Sequence, residues 1–304
     1  MRLSQIRDFL AVADTGSIRA AARSLGLTQP ALTKSLRQLE AELGAVLVTR
    51  SVRGIVFTAL GQAFLTRARS IDGDLRRARE EIAQLQGARE GTLSIGASTA
   101  PAMGVLPRAV VKLRESWPSA TIRVSDTSFP NVLADLREGR FDLAISPTFG
   151  ADPVPSGEFN VEVLFRNEVV VVVRKGHPKR SAKSLREFTD GEWLRSGPRG
   201  GPATVLDAAY AAIGLPPPEC HVQCESFLAL PEIVAISDVV AMVPRQLLEQ
   251  PSVRGRLVRV PVKEKLRPIE INLLTRAGVP LTPIGKDFVG IVRGMAGGQK
   301  VVNF

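Results

Sequence analysis

Between Gly16 and Gly44 the chain reads GSIRAAARSLGLTQPALTKSLRQLEAELG, a pattern that leaves room for little besides two short helices joined by a tight turn. Ser17 stands where an N-cap belongs, ahead of a helical run in which Ala21, Ala22 and Leu25 form an apolar face. Gly26 breaks that run. Leu27 is of the buried type within the turn, Thr28 is the next N-cap, and Pro30 falls in the first helical turn, where its missing N–H costs nothing. In the second helix Leu32, Leu36, Leu39 and Leu43 are spaced four, three and four apart, so they make one inward stripe. Gln29, Thr33, Lys34 and Arg37 then face outward near the helix start. In a helix-turn-helix that end enters the major groove of DNA. There Gln29 can bond adenine twice, Thr33 can meet a thymine methyl or a phosphate, and Lys34 and Arg37 can reach guanine or phosphate. On spacing alone, an ordinary helical hairpin with a polar surface remains the alternative.

The flanking segments narrow the choice. Leu3, Ile6, Leu10 and Ala13 recur at helical spacing beside Phe9, which predicts a preceding helix that supplies a third wall of a small core. Leu47 to Thr49 and Ile55 to Thr58 are strand-like runs around Arg50, Ser51, Val52, Arg53 and Gly54, as in a hairpin with a basic tip that would lie on phosphates. A winged, three-helix domain is expected.

The run GSIRAAARSLGLTQPALTKSLRQLEAELGAVLVTR, followed by Gly54, Thr58 and Gly61, resembles the DNA-binding domain of the LysR-type transcriptional regulators. Val48 and Leu60 depart from it, where the family often has Phe and Ala. The remaining length and organisation also fit. The resemblance implies an α/β multidomain protein: an N-terminal winged helix-turn-helix, a long linker helix, and a C-terminal two-lobed, periplasmic-binding-protein-like effector domain. It further implies double-stranded DNA, a second copy of the chain and RNA polymerase as partners, dimers or tetramers upstream of a promoter, and activation by a small effector. The segments SGPRGGPA and CESFLALPEIVA resemble a subgroup that includes regulators of sulfonated-aromatic and sugar-uptake genes.

Charge and composition agree. The formal net charge of +10 favours a polyanionic partner, either nucleic acid or an anionic membrane surface. With 5% aromatic residues and a single Tyr, the chain lacks the stacking platforms of single-strand binders, so duplex DNA fits better. No apolar run is long enough to span a bilayer. Val169 to Val173, flanked by Glu168 and Arg174, suits a buried strand, and no membrane partner is expected. The first residues, MRLSQIRDFLAVADTG, lack a signal-peptide core, and the cytoplasm is the expected compartment.

From Thr58 to Gln86 there is no proline, and Leu60, Phe64, Ala68, Ile71, Leu75, Ala78, Ile82 and Leu85 keep a near-heptad stripe. Such a helix would run about 40 Å. It either packs on its own domain or pairs with its twin; pairing gives two reading heads and an interrupted inverted repeat as the DNA site. Beyond GAREG at Gly87 to Gly91, strand-like and helix-like segments alternate as in an α/β domain, and the segments Ile269 to Leu274 and Ile284 to Met295 return the chain to the first half. The expected boundaries are 1–58 for the DNA-binding domain, 59–89 for the linker and 90–304 for the effector domain. Within the last, one lobe covers about 90–163 and 268–304, and the other about 164–267.

In open α/β sheets, ligands gather at strand carboxyl ends. Ser98 and Thr99, Thr127 and Ser128, and Thr148 follow three successive strands; in the second lobe Ser196 precedes GPRGGP and Ser226 opens a helix. Each alone reads as a helix cap, but their recurrence at one edge points to a pocket for a small carboxylate or sulfonate, with Arg199 near its charge and Phe129, Phe149 or Phe227 under its body. Catalysis is not expected: His177 and His221 have no serine and carboxylate constellation, there is no phosphate loop, and Asp126, Asp135 and Asp142 read as capping or solvated. Cys220 and Cys224 would lie about 13 Å apart on one strand, too far for a disulfide, which needs its Cα atoms within about 7 Å. With His221 they offer at most three metal ligands, so no metal or other cofactor is expected. A solute-binding protein would explain the carboxyl-terminal two-thirds but leaves the first ninety or so residues without a role.

Overall fold

Helix α1 (Leu3–Thr15) stops at Gly16, whose φ of 65° turns the chain so that its N–H closes on Val12 O. The computed structural model describes residues 1–51, 54–150, 154–197 and 200–298, and of Arg50 and Ser51 the backbone alone. Ser17 Oγ accepts from Ala20 N at 3.4 Å and so starts α2 (Ile18–Ser24). After the turn at Gly26, Thr28 Oγ1 accepts from Ala31 N, also at 3.4 Å, and starts α3 (Gln29–Leu43) with Pro30 in its first turn. Both caps fall where the sequence places them.

Leu32, Leu36 and Leu39 bury one face of α3 against Ile6, Phe9, Leu10, Val12, Ala21 and Ala22. Four expected members of the apolar faces are instead exposed: Leu3, Leu25, Leu27 and Leu43. Leu3 opens α1, Leu25 follows the last residue of α2, Leu27 sits in the turn and Leu43 ends α3, so each lies at an end beyond the reach of the core.

Strands β1 (Val48–Ser51) and β2 (Gly54–Phe57) form the antiparallel hairpin, with Val48 opposite Phe57. Thr58 then caps α4 (Ala59–Leu85), its Oγ1 accepting from Gly61 N at 2.9 Å while its O–H donates to Val46 O at 2.7 Å. Phe9 meets Phe57 and Phe64 edge-on, with centroids 5.5 and 5.1 Å away, so one ring joins α1, the hairpin and α4. In α4 the head-facing positions are Gly61, Leu65 and Ala68, with Phe64 and Ile71 against the same core. Leu60 points to solvent. Gly61 lies under the hairpin base, where an added Cβ would stand 1.9 Å from Leu47 O.

Ala88–Leu136 and the chain from Phe141 onward make up a second compact unit. In order it contains β3 (Thr92–Ala97), α5 (Thr99–Met103), α6 (Val105–Ser116), β4 (Thr121–Asp126), α7 (Asn131–Arg137), β5 (Leu143–Pro147) and β6 (Phe159–Asn167). There follow β7 (Val169–Arg174), β8 (Trp193–Ser196), α8 (Thr204–Ala211), β9 (Val222–Cys224), α9 (Ala229–Ile236), β10 (Val240–Pro244), β11 (Leu257–Arg259), β12 (Ile269–Arg276) and α10 (Pro283–Gly298). Two five-stranded mixed sheets result, ordered β4-β3-β5-β12-β6 and β11-β7-β10-β8-β9. In the first, β3 runs parallel to β4 and β5, and β12 runs antiparallel to β5 and β6; in the second, β8 is parallel to β9 and β10, and β7 antiparallel to β10 and β11. The chain crosses between them at Glu168 and again between β11 and β12.

The central strands of each sheet are buried on both faces, whereas β4 and much of β6 at the edges of the first sheet are exposed. The five valines Val169 to Val173 show why an uninterrupted apolar run is needed: Val169, Val171 and Val173 join a cluster with Phe188, Trp193 and Tyr210, while Val170 and Val172 face Leu230, Val234 and Leu257. In the first sheet Leu93 and Ile95 pack with Trp117 and Phe288, and Val132, Leu136 and Phe141 cover the other side. Strands β6 and β8 are additions to the expected set of elements.

Two outcomes check this packing. Gly61→Ala gains at most about 1 kcal/mol of helix propensity but overpacks a backbone oxygen at a cost of about 1–3 kcal/mol, so denaturant unfolding should show net destabilisation. Tyr210, the only tyrosine, is buried with its O–H donating to Leu185 O at 3.1 Å, and burial pushes its pKa up to about 12. The unfolded phenol ionises near 10, so the folded state loses stability as pH rises from about 10 to about 12. Phenolate absorbance of the folded protein should appear only near the upper value, and Tyr210→Phe should remove that part of the alkaline instability.

Candidate DNA interface and ligand cleft

Because Leu32, Leu36 and Leu39 take the inner face of α3, its other face is left to solvent. Gln29, Pro30, Thr33, Lys34 and Arg37, with Gln38 and Ala41, surround one shallow depression there. Lys34 and Arg37 are exposed and form no ion pair among the described residues, so their charges are unneutralised. The helix itself is firmly tied. Ser35 Oγ donates to Asp8, and Glu40 Oε1 accepts from Leu47 N at 2.8 Å and Val48 N at 3.2 Å, which binds α3 to the hairpin. Gln5 Oε1 accepts from Arg2 N at 2.6 Å, and Gln5 Nε2 donates to Glu42, whose carboxyl is held below its usual range by its hydrogen bond to the N-terminal ammonium.

Of the residues expected to meet DNA, five therefore share one patch. Ser17 and Thr28 use their oxygens as cap acceptors, which leaves each O–H able to donate to a phosphate. Arg53 and the Arg50 side chain lie outside the described residues. Gln38 was not anticipated; it belongs to the patch and accepts from Arg2 Nη2 at 3.2 Å.

In the second unit, a cleft of about 890 Å³, its open mouth included, lies between the two sheets. Ser98, Thr99, Thr127, Ser128, Ser226 and Phe227 line it, as do Phe129, Phe149 and Ser196. Thr148 is not among the lining residues; its Oγ1 accepts from Asn272 Nδ2 at 3.2 Å. Arg199 lies outside the described residues. Several hydroxyls are already engaged: Thr127 donates to Asp135 at 3.4 Å, and Ser226 Oγ accepts from Ala229 N at 3.3 Å at the approach to α9. Ser98 precedes α5 but makes no side-chain cap bond. Asn167, Val169, Met242, Ile269 and Ile271 complete the inner wall and were not foreseen.

Comparison with known proteins settles the family. Residues 3–62 match the bacterial regulatory helix-turn-helix protein of the lysR family, and residues 86–297 match the LysR substrate binding domain. The chain belongs to the LysR family of transcriptional regulators. It is 31% identical over 310 aligned positions to the SDS degradation transcriptional activation protein of Pseudomonas sp., covering 95% of each chain. It is also 28% identical to the HTH-type transcriptional regulator GbpR of Azospirillum brasilense, covering 96% of this chain and 86% of that one. Full-length CbnR, crystallised with its target DNA, has the same fold, with a TM-score of 0.71 at 24% identity over 97% of this chain and 99% of CbnR.

A LysR-type regulator is a DNA-binding protein, not an enzyme. The histidines are accounted for without catalysis. His177 is buried, its Nδ1 accepting from Lys179 N at 3.0 Å and its Nε2 facing Asp238 O at 3.1 Å, while His221 is exposed. Asp142 accepts from Ser94 N at 2.8 Å, a structural bond. Cys220 and Cys224 are free thiols whose sulfurs sit 3.5 Å from Pro218 O and 3.2 Å from Ser226 O. Burial pushes the Cys220 thiol up, opposing thiolate chemistry, although Arg195 pulls the other way. Among the described residues no cluster could hold a metal ion, and no helix is long and apolar enough to cross a membrane.

Proposed function

We propose that this LysR-type regulator sits on promoter DNA as a dimer, or as a tetramer of two such dimers, and activates transcription in the cytoplasm when a small carboxylate or sulfonate enters the cleft. The observation that carries the reading is the outer face of α3, where polar and cationic side chains with no internal ion pair stand opposite a buried leucine row. Gln29, Thr33 and Lys34 read bases. Arg37, Arg50 and Arg53 neutralise phosphate, helped by Ser17 and Thr28.

Pairing rests on α4. Ile82 and Leu85 are 59% and 69% exposed near its end, and Leu60 is equally bare near its start, which is costly for a helix with no partner. Ile71 belongs to the head's own core, so Ile82 and Leu85 are the positions that isolate pairing from folding. In the cleft, hydroxyls hold the anionic group while phenylalanines carry the apolar body. Binding shifts the population of lobe arrangements, and RNA polymerase contact follows from the DNA-bound state.

Gel shifts against the chain's own upstream region test the DNA assignment. Gln29→Ala should cost about 1–3 kcal/mol on the specific site and blunt discrimination between sequences. Arg37→Ala should weaken all duplexes alike and lower the salt slope by about one. Equal behaviour of both variants and the parent would remove α3 from the interface. Ile82→Asp with Leu85→Asp should convert dimers to monomers in sedimentation without loss of helical signal; persistent dimers would place pairing elsewhere.

A further inference from the structure

Asn167 ends β6 and Val169 begins β7, so a single residue, Glu168, carries the chain from one sheet to the other. The Asn167 side chain is 2% exposed and lies in the cleft wall, and its Oδ1 is completely buried with no hydrogen-bond partner. Ser98 Oγ, in the same wall, is in the same condition. Thr127 and Ser226, in the same wall, have internal partners. A buried amide oxygen left unmatched is unfavourable, and a cavity that contains one favours whatever brings it a donor.

Resting on the cleft reading above, we infer that the effector is a hydroxylated acid, whose hydroxyl meets Asn167 while its anionic group meets the serine and threonine edge. An ionised carboxylate or sulfonate has only acceptors and cannot answer Oδ1, so a second, protic group is required. An ammonium is disfavoured. Val169, Ile269 and Ile271 make the inner wall apolar, Ile269 lies directly opposite Asn167 in the strand register, and the one acidic side chain among the described lining residues, Glu225, is exposed.

The position also ties recognition to the crossing between lobes. Glu168 is held by Arg245 Nη1 at 3.2 Å and Arg259 Nη2 at 3.0 Å, so the residue after Asn167 is anchored to the second sheet's side. A bond from the ligand to Asn167 therefore acts on the segment that must bend for the lobes to move.

Matched pairs of ring acids test this on the full-length chain by calorimetry and thermal shift: benzoate against 3- and 4-hydroxybenzoate, and benzenesulfonate against 4-hydroxybenzenesulfonate. One hydroxylated member should bind at least about tenfold more tightly than its parent. Asn167→Leu should erase that preference, with an unliganded Tm equal to or above that of the natural chain, since an unmatched polar atom is gone. Asn167→Ser serves the same comparison should the leucine variant not fold. Equal binding within every pair, or a preference that survives both substitutions, overturns the role of Asn167 and leaves the anion-binding cleft standing. If none of these acids binds the natural chain, the carboxylate or sulfonate reading of the cleft fails and this inference fails with it.

Discussion

The row Leu32, Leu36 and Leu39 holds α3 by one face, and the rest of the amino-terminal unit is arranged to make that grip rigid. Truncating a buried leucine costs about 2–5 kcal/mol, whereas exposed Lys34 and Arg37 contribute nothing comparable to folding. That asymmetry separates stability from surface chemistry: the inner face is committed to packing and the outer face is free to vary. Phe9, the Glu40 bonds to the hairpin, and the close approach of Gly61 to Leu47 O then set the hairpin and α4 against the same core.

The second unit follows a different logic. The central strands of its two sheets are buried on both faces, and the sheets are joined by two thin crossings, so the connection between them is slight. The cleft is lined by residues from both sheets, including Asn167 and Val169 on either side of the first crossing. For a two-lobed domain of this kind, differential affinity for two lobe arrangements is all that ligand regulation requires.

Features set by local chemistry were readable in advance. Ser17 and Thr28 declare themselves as caps because their hydroxyls bond within their own turn, and Val169 to Val173 as a buried strand because five β-branched residues in a short run favour extended backbone. Features set by tertiary contact were not. Leu25, Leu27 and Leu43 fit the apolar pattern but end up exposed because the pattern does not tell a helix end from its middle. Strand β6 was hidden by Glu162 and Arg166, which look like loop residues until they are seen paired with Arg293 and Glu270 across a sheet surface. Asn167 carried no signal at all, since a lone asparagine near a charged residue resembles a turn; only its burial in the cleft wall reveals it.

The most direct measurement is a footprint of the purified full-length chain on duplex DNA from upstream of its own gene, with and without a bound acid. Protection of two half-sites related as an interrupted inverted repeat, with spacing or DNA bending that changes when the acid is added, is the expected result. A single unpaired half-site, protection without sequence preference, or a pattern indifferent to every acid that binds the cleft would contradict a paired reading head under ligand control.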